Sequence, residues 1–144
     1  LIRKVLELAG DSRIEGVSAS ERLLTPTRIY VKPVLELMTG VTIKGLAHIT
    51  GGGITENLPR ILDESLHAEI DTASWTQGPV FDWLAETGNI AVDEMRRTFN
   101  CGVGMIVVVD AADVAKSVEV LAGAGESAWE IGRIAGGSGP VQYL

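Results

Sequence analysis

The sequence is poor in the residues that most often carry chemistry: it has one cysteine, two histidines and only 5% aromatics. A lone cysteine, Cys101, excludes an internal disulfide and fits a reducing compartment, so a cytoplasmic protein is expected. Two histidines and one cysteine do not make a zinc set. No Gly-x-Ser-x-Gly elbow and no acidic loop with calcium spacing occurs, so no metal ligand is assigned. Cations are scarce as well. Twelve basic side chains face 19 acidic ones, for a formal charge of −7. That balance lacks the basic stripe of a nucleic-acid surface and the polybasic patch of a membrane anchor. Long apolar runs are missing too. The longest, residues 103–109, is interrupted by Gly104 and is far too short to span a bilayer. No charged-then-apolar leader is seen, so no secretion signal is expected. Neither nucleic acid nor membrane is therefore an expected partner. A small anionic ligand stays compatible, because backbone amides can bind phosphate on an acidic protein.

What is present suits one globular domain: 144 residues, 46% of them apolar and 22% charged, with 17 glycines. Leu1, Ile2, Val5, Leu6 and Ala9 have helical spacing up to Gly10, so the chain is expected to open at a helix, at a boundary within a longer protein. Residues 11–21 are polar and aperiodic and read as a loop. Residues 23–28 read as extended around Pro26, and a helix follows over 30–38 with Pro33 in its first turn. Strands are expected at 44–50, 67–71, 103–109, 128–134 and 141–143. The strand at 103–109 reads as buried. Helices are expected after the glycines at 51–53, around Val80 to Leu84 as far as Gly88, over 93–99, and from Asp110 or Asp113 to Gly123 or Gly125. A loop at 136–139 precedes the last strand. The mixture predicts an α+β fold, a mixed β-sheet flanked by α-helices.

Three clusters stand out. The first is Leu-Leu-Thr-Pro-Thr-Arg-Ile-Tyr at 23–30. Arg28 offers a planar fork of donors for phosphate or carboxylate, and Thr27 adds a hydroxyl on a stretch stiffened by Pro26. The bland alternative is a surface arginine before a helix. The second is Ala-His-Ile-Thr-Gly-Gly-Gly at 47–53, followed by Glu-Asn-Leu-Pro-Arg at 56–60. A strand delivers Gly51, Gly52 and Gly53 to a helix start, where bare amides can converge on one anion. Thr50, Thr55 and Asn57 can add side-chain hydrogen bonds, and His48 can donate to a phosphoryl group or move a proton. The spacing is neither that of a Walker loop nor that of a dinucleotide fingerprint. The alternatives are a turn that only lets strand and helix pack closely, and a core histidine. The third is Arg-Thr-Phe-Asn-Cys-Gly-Val-Gly-Met at 97–105, where Arg97 and Asn100 can face a ligand or merely end a helix. Cys101 reads as a small buried hydrophobe, His67 as a surface strand residue, and Trp75, Trp83 and Trp129 as packing.

Taken together and in order, the three clusters resemble the aminoimidazole ribonucleotide synthetase family, the phosphoribosylformylglycinamidine cyclo-ligases. Trp129-Glu130-Ile131-Gly132 is similar to that family's near-terminal strand, so the likeness covers almost the whole chain. The resemblance implies the carboxy-terminal domain of a two-domain enzyme, with the amino-terminal domain absent from this chain. It implies ATP and Mg2+, bound mainly by that amino-terminal domain, and a homodimer of the complete protein. The implied reaction activates the formyl oxygen of formylglycinamidine ribonucleotide with ATP and closes the ring to aminoimidazole ribonucleotide. His48 and Arg28 are then the candidate catalytic residues. Thr27, Thr50, Gly51, Gly52, Gly53, Asn57, Arg97 and Asn100 are candidates for the substrate and its phosphate. By itself the chain is expected to be inactive. The competing expectations are another ATP-dependent enzyme of the same superfamily and a non-catalytic binding or assembly module.

Overall fold

A computed structural model describes residues 1–137, 139 and 141–144. The chain is α+β, as the sequence predicts, but its strands fall into three small sheets. Helix α1 (Ile2–Ala9) ends at Gly10, whose positive φ of 60° releases the chain into a hairpin. That hairpin, β1 (Arg13–Ile14) and β2 (Val17–Ser18), and the helix α2 (Ala19–Leu23) replace the loop expected over 11–21. Its two-residue turn places Glu15 at φ 49° and Gly16 at φ 79°, the paired left-handed conformation whose twist matches that of the flanking strands. Helix α3 (Val31–Met38) takes Pro33 at its third residue, where the missing N–H is one of the helix's orphan donors anyway.

Strand β3 (Ile43–His48) runs antiparallel to β5 (Met105–Val109), with Ala47 opposite Ile106 and His48 opposite Met105. Of β5 only Ile106 is fully buried, so the strand expected to be buried on both faces is half open instead. Between them lie α4 (Gly53–Asn57), a 3₁₀ turn (Leu58–Ile61), β4 (Leu66–Ile70), α5 (Pro79–Gly88) and α6 (Val92–Thr98). After β5 a 3₁₀ turn (Ala111–Asp113) leads into α7 (Val114–Gly123). Neither Asp110 nor Asp113 caps with its side chain. Instead the Asp113 carbonyl accepts from Ser117 Oγ at 2.7 Å. Strand β6 (Gly132–Gly136) lies further along than the expected 128–134, because its antiparallel register with β4 pairs Ala68 with Ile134. Strand β7 (Gln142–Tyr143) adds to the other edge of β4 in parallel, making the mixed sheet β6-β4-β7. The loop expected at 136–139 includes Ser138, which lies outside the described residues.

Two hydrophobic cores result. The larger holds Ile49, Ile54, Leu58, Ala68, Ile70 and Val103 against the β3-β5 and β6-β4-β7 sheets. The smaller joins Val5, Leu84, Met95 and Cys101 between α1, α5 and α6. Each fully buried aliphatic side chain contributes about 1.5–3 kcal/mol, so these clusters carry the fold. Residues 95–103 pass from one core to the other: Met95 and Cys101 belong to the smaller, Val103 to the larger. The glycine loop sits against that crossing. Among the described residues no helix is long and apolar enough to cross a membrane.

Candidate functional site

Strand β3 ends at His48 and delivers the loop Thr50, Gly51, Gly52 to α4. The three glycines have three different jobs. Gly53, at φ 58°, lies under α6: a Cβ there would meet Arg96 O at 1.9 Å and Phe99 O at 2.7 Å. Gly52 caps α4 in the left-handed conformation at φ 98°. Gly51 has no such constraint, and its added Cβ would meet open space. The Gly53 N–H donates to Thr50 O at 3.0 Å, whereas among the described residues the Gly51 and Gly52 N–H groups have no acceptor. Close packing therefore accounts for Gly53, and a Cβ on Gly52 would meet the Glu56 carboxylate at 2.8 Å, so of the two unspent donors only that of Gly51 belongs to a residue facing open space.

Asn57, 7% exposed, braces this loop. Its Nδ2 donates to Gly51 O at 3.1 Å and to Gly53 O at 2.8 Å, so the amide holds the loop's shape from behind. Thr55 is likewise turned inward, sharing a 2.8 Å hydrogen bond with Tyr143 OH. The Arg96 guanidinium stacks on the Tyr143 ring at 4.6 Å, tying α6, α4 and β7 together. Burial pushes the Tyr143 phenol above its ordinary range, partly offset by Thr55 and Arg96.

The third motif meets the second here. Arg97 forms a two-pronged pair with Glu94 at 2.8–3.0 Å, which lowers the Glu94 pKa and raises that of Arg97. Both groups are largely exposed, so this pair can rearrange toward a ligand at little cost. Asn100 Oδ1 accepts the Gly102 N–H at 3.2 Å and shapes the turn into β5. Cys101 is 5% exposed, and burial raises its thiol pKa, with Arg96 opposing. It packs as a hydrophobe, as its sequence context predicts. A thiol-specific reagent at pH 8 is expected to label the folded protein at least about tenfold more slowly than the urea-unfolded chain. Equal rates would contradict the burial.

The first motif joins through Tyr30. Its ring lies edge-on to His48 with centroids 6.0 Å apart, and its hydroxyl lies over Gly104, where a Cβ would stand 1.8 Å from the oxygen. Burial is the main reason its phenol is raised, then the carboxylate of Glu126, with Arg28 opposing. Arg28 is exposed and paired to Glu126, while His48, Thr27 and Thr50 are exposed. His67 is not the surface residue its sequence context suggested. It is 8% exposed, and its Nδ1 lies 3.2 Å from Gly137 O, because β4 is the central strand of its sheet. Sequence reasoning also missed Glu126, Arg96 and Tyr143, which reach the site only through tertiary contacts. Among the described residues no group of three or more His, Cys, Asp or Glu is placed to hold a metal ion.

The family model described as AIR synthase related protein, C-terminal domain, matches residues 1–143. A phosphoribosylformylglycinamidine cyclo-ligase of Methylobacillus flagellatus is 52% identical over 148 residues, which cover 100% of this chain and 43% of that protein. One from Nitrosococcus oceani is 54% identical over 137 residues, covering 93% of this chain and 38% of the relative. Another, from Burkholderia multivorans, is 50% identical, covering 93% and 39%. The chain thus spans about two fifths of the length of these curated relatives. With the motifs in order, the family model matched over residues 1–143 and half the residues identical to named cyclo-ligases, the chain belongs to the family of AIR synthase related proteins as their C-terminal domain.

Proposed function

We propose that this chain forms the carboxy-terminal wall of the active-site cleft in an ATP-dependent cyclo-ligase that converts formylglycinamidine ribonucleotide into aminoimidazole ribonucleotide. In this reading the complete protein is a cytoplasmic homodimer. ATP and Mg2+ are bound mainly by an amino-terminal domain, and the present chain alone is inactive. ATP phosphorylates the formyl oxygen, the amidine nitrogen attacks the activated carbon, and the ring closes as phosphate leaves. Positioning and charge stabilisation suffice for such a transfer, so no protein nucleophile is needed. In this scheme the free N–H groups of Gly51 and Gly52 hold an anionic oxygen, most simply of the substrate's 5′-phosphate. Arg28 neutralises phosphate charge, and His48 supplies a hydrogen bond or a proton. Thr27, Thr50, Arg97 and Asn100 lie on the segments that converge there.

The observation that carries the proposal is the convergence itself. Tyr30 of the first motif lies against His48 of the second and Gly104 of the third, and Gly53 lies beneath Arg96 and Phe99. The test is ATP-coupled turnover of formylglycinamidine ribonucleotide by the full-length protein. Activity is expected to fall at least about tenfold in Arg28→Ala, and in Gly51→Val with its fold retained. Turnover of a different superfamily substrate in place of this one would overturn the proposal, as would wild-type kinetics in both variants.

A further inference from the structure

The loop after α7 reaches the site through one residue that no motif contains. Arg28 Nε lies 3.1 Å from Glu126 Oε2, and Arg28 Nη2 donates to Gly125 O at 3.2 Å. Ninety-seven residues separate Arg28 from Gly125, so no local sequence signal links them. The two side chains are unequally placed: Glu126 is 13% exposed and Arg28 is 57% exposed. The carboxylate is sheltered, and much of the guanidinium remains in solvent.

The platform beneath the pair is fixed by its own backbone. The Glu126 N–H donates to Leu121 O at 2.9 Å and the Gly125 N–H to Ala122 O at 3.0 Å, with Gly125 at φ 86°. A carboxylate on such a turn has little freedom to follow a wandering arginine. It sets where the guanidinium sits. A guanidinium carries five N–H donors. One is spent on Gly125 O, Nε rests against Glu126 as an ion pair, and donors remain for the two-pronged contact that a phosphate or carboxylate accepts. An arginine ordered in advance loses less side-chain freedom when its ligand arrives.

We propose that Glu126 is the positioning residue for Arg28, acting through the guanidinium and touching no substrate itself. This rests on the reading of Arg28 as an anion ligand given above. It adds that the carboxylate, from the far end of the chain, sets the affinity of that contact.

The experiment is a double-mutant cycle in the full-length enzyme, with KM for both substrates, kcat and melting temperature measured for each variant. Glu126→Gln is expected to raise, about tenfold, the KM that Arg28→Ala also raises, with kcat changed less than about twofold. Glu126→Asp, which restores the charge on a shorter arm, is expected to recover part of the loss. Adding Glu126→Gln to Arg28→Ala is expected to raise KM no further, because the residue through which Glu126 acts is gone. A KM unchanged in Glu126→Gln but raised in Arg28→Ala overturns the positioning role alone. Additive effects of the two changes also overturn it. An unchanged KM in Arg28→Ala overturns the reading of Arg28 beneath it. If Glu126→Gln does not fold, Glu126→Asp carries the same cycle: a raised KM that does not add to Arg28→Ala supports the role, and an unchanged KM overturns it.

Discussion

Alanine at Gly53 is expected to cost the fold about 3 kcal/mol or more, while alanine at Gly51, two residues earlier, is expected to cost less than about 1 kcal/mol. The two glycines are neighbours in one loop, but their surroundings differ in kind. A Cβ on Gly53 would collide with the Arg96 and Phe99 carbonyls, which are backbone and cannot swing aside. The residue would also have to hold φ 58°, a region that side chains disfavour. The Cβ of Gly51 would meet nothing within 4 Å. Chemical denaturation of the full-length protein measures both costs. A Gly53→Ala variant as stable as the parent would show that α4 and α6 are not packed as described. The contrast also separates folding from binding: Gly51→Ala puts a methyl group into the open space beside the free N–H groups, so it tests ligand affinity with the scaffold intact.

Asn57→Asp is the second large effect. The change preserves shape and removes both donors. An oxygen would then face Gly51 O and Gly53 O at the distances where Nδ2 now donates to them, in a site 7% exposed. The expected loss at pH 7 is about 3 kcal/mol, against about 2 kcal/mol for Asn57→Ala, which leaves the two carbonyls unpaired but adds no charge. The pH dependence separates the two. Burial and the facing carbonyls raise the new carboxyl's pKa in the folded state above its unfolded value of about 3.9. The folded state then holds the proton more tightly than the unfolded state. The new carboxyl's own contribution to stability is therefore most favourable below about pH 4 and is lost as pH rises through the folded pKa. The deficit relative to Asn57→Ala should shrink on acidification. Parallel stability curves for the two variants would mean that the amide is not committed to these carbonyls.

How much of this was legible in the sequence varies with the range of the interactions involved. The glycine run, the helix behind it and the α+β class follow from local spacing, and the structure agrees. The hairpin at 13–18 escaped because its turn uses Glu15 in a left-handed conformation where the familiar signal is asparagine. The placement of β6 escaped for another reason. Trp129 and Ile131 pack against the larger core just before the paired strand begins, so apolar content pointed four residues too early. Asn57 was legible as a polar residue by the loop, but not as its brace, because that depends on where two carbonyls point. His67 and Glu126 depend wholly on tertiary partners. One is buried by its place in the middle of a sheet, and the other is paired with an arginine almost a hundred residues away.

The last strand has an influence beyond its two residues. Leu144 bonds to Ile70 and Thr72 through its main chain, and Tyr143 reaches the hydroxyl of Thr55 in the helix behind the glycines. Cutting the chain after Gln142 would therefore remove a strut from the loop.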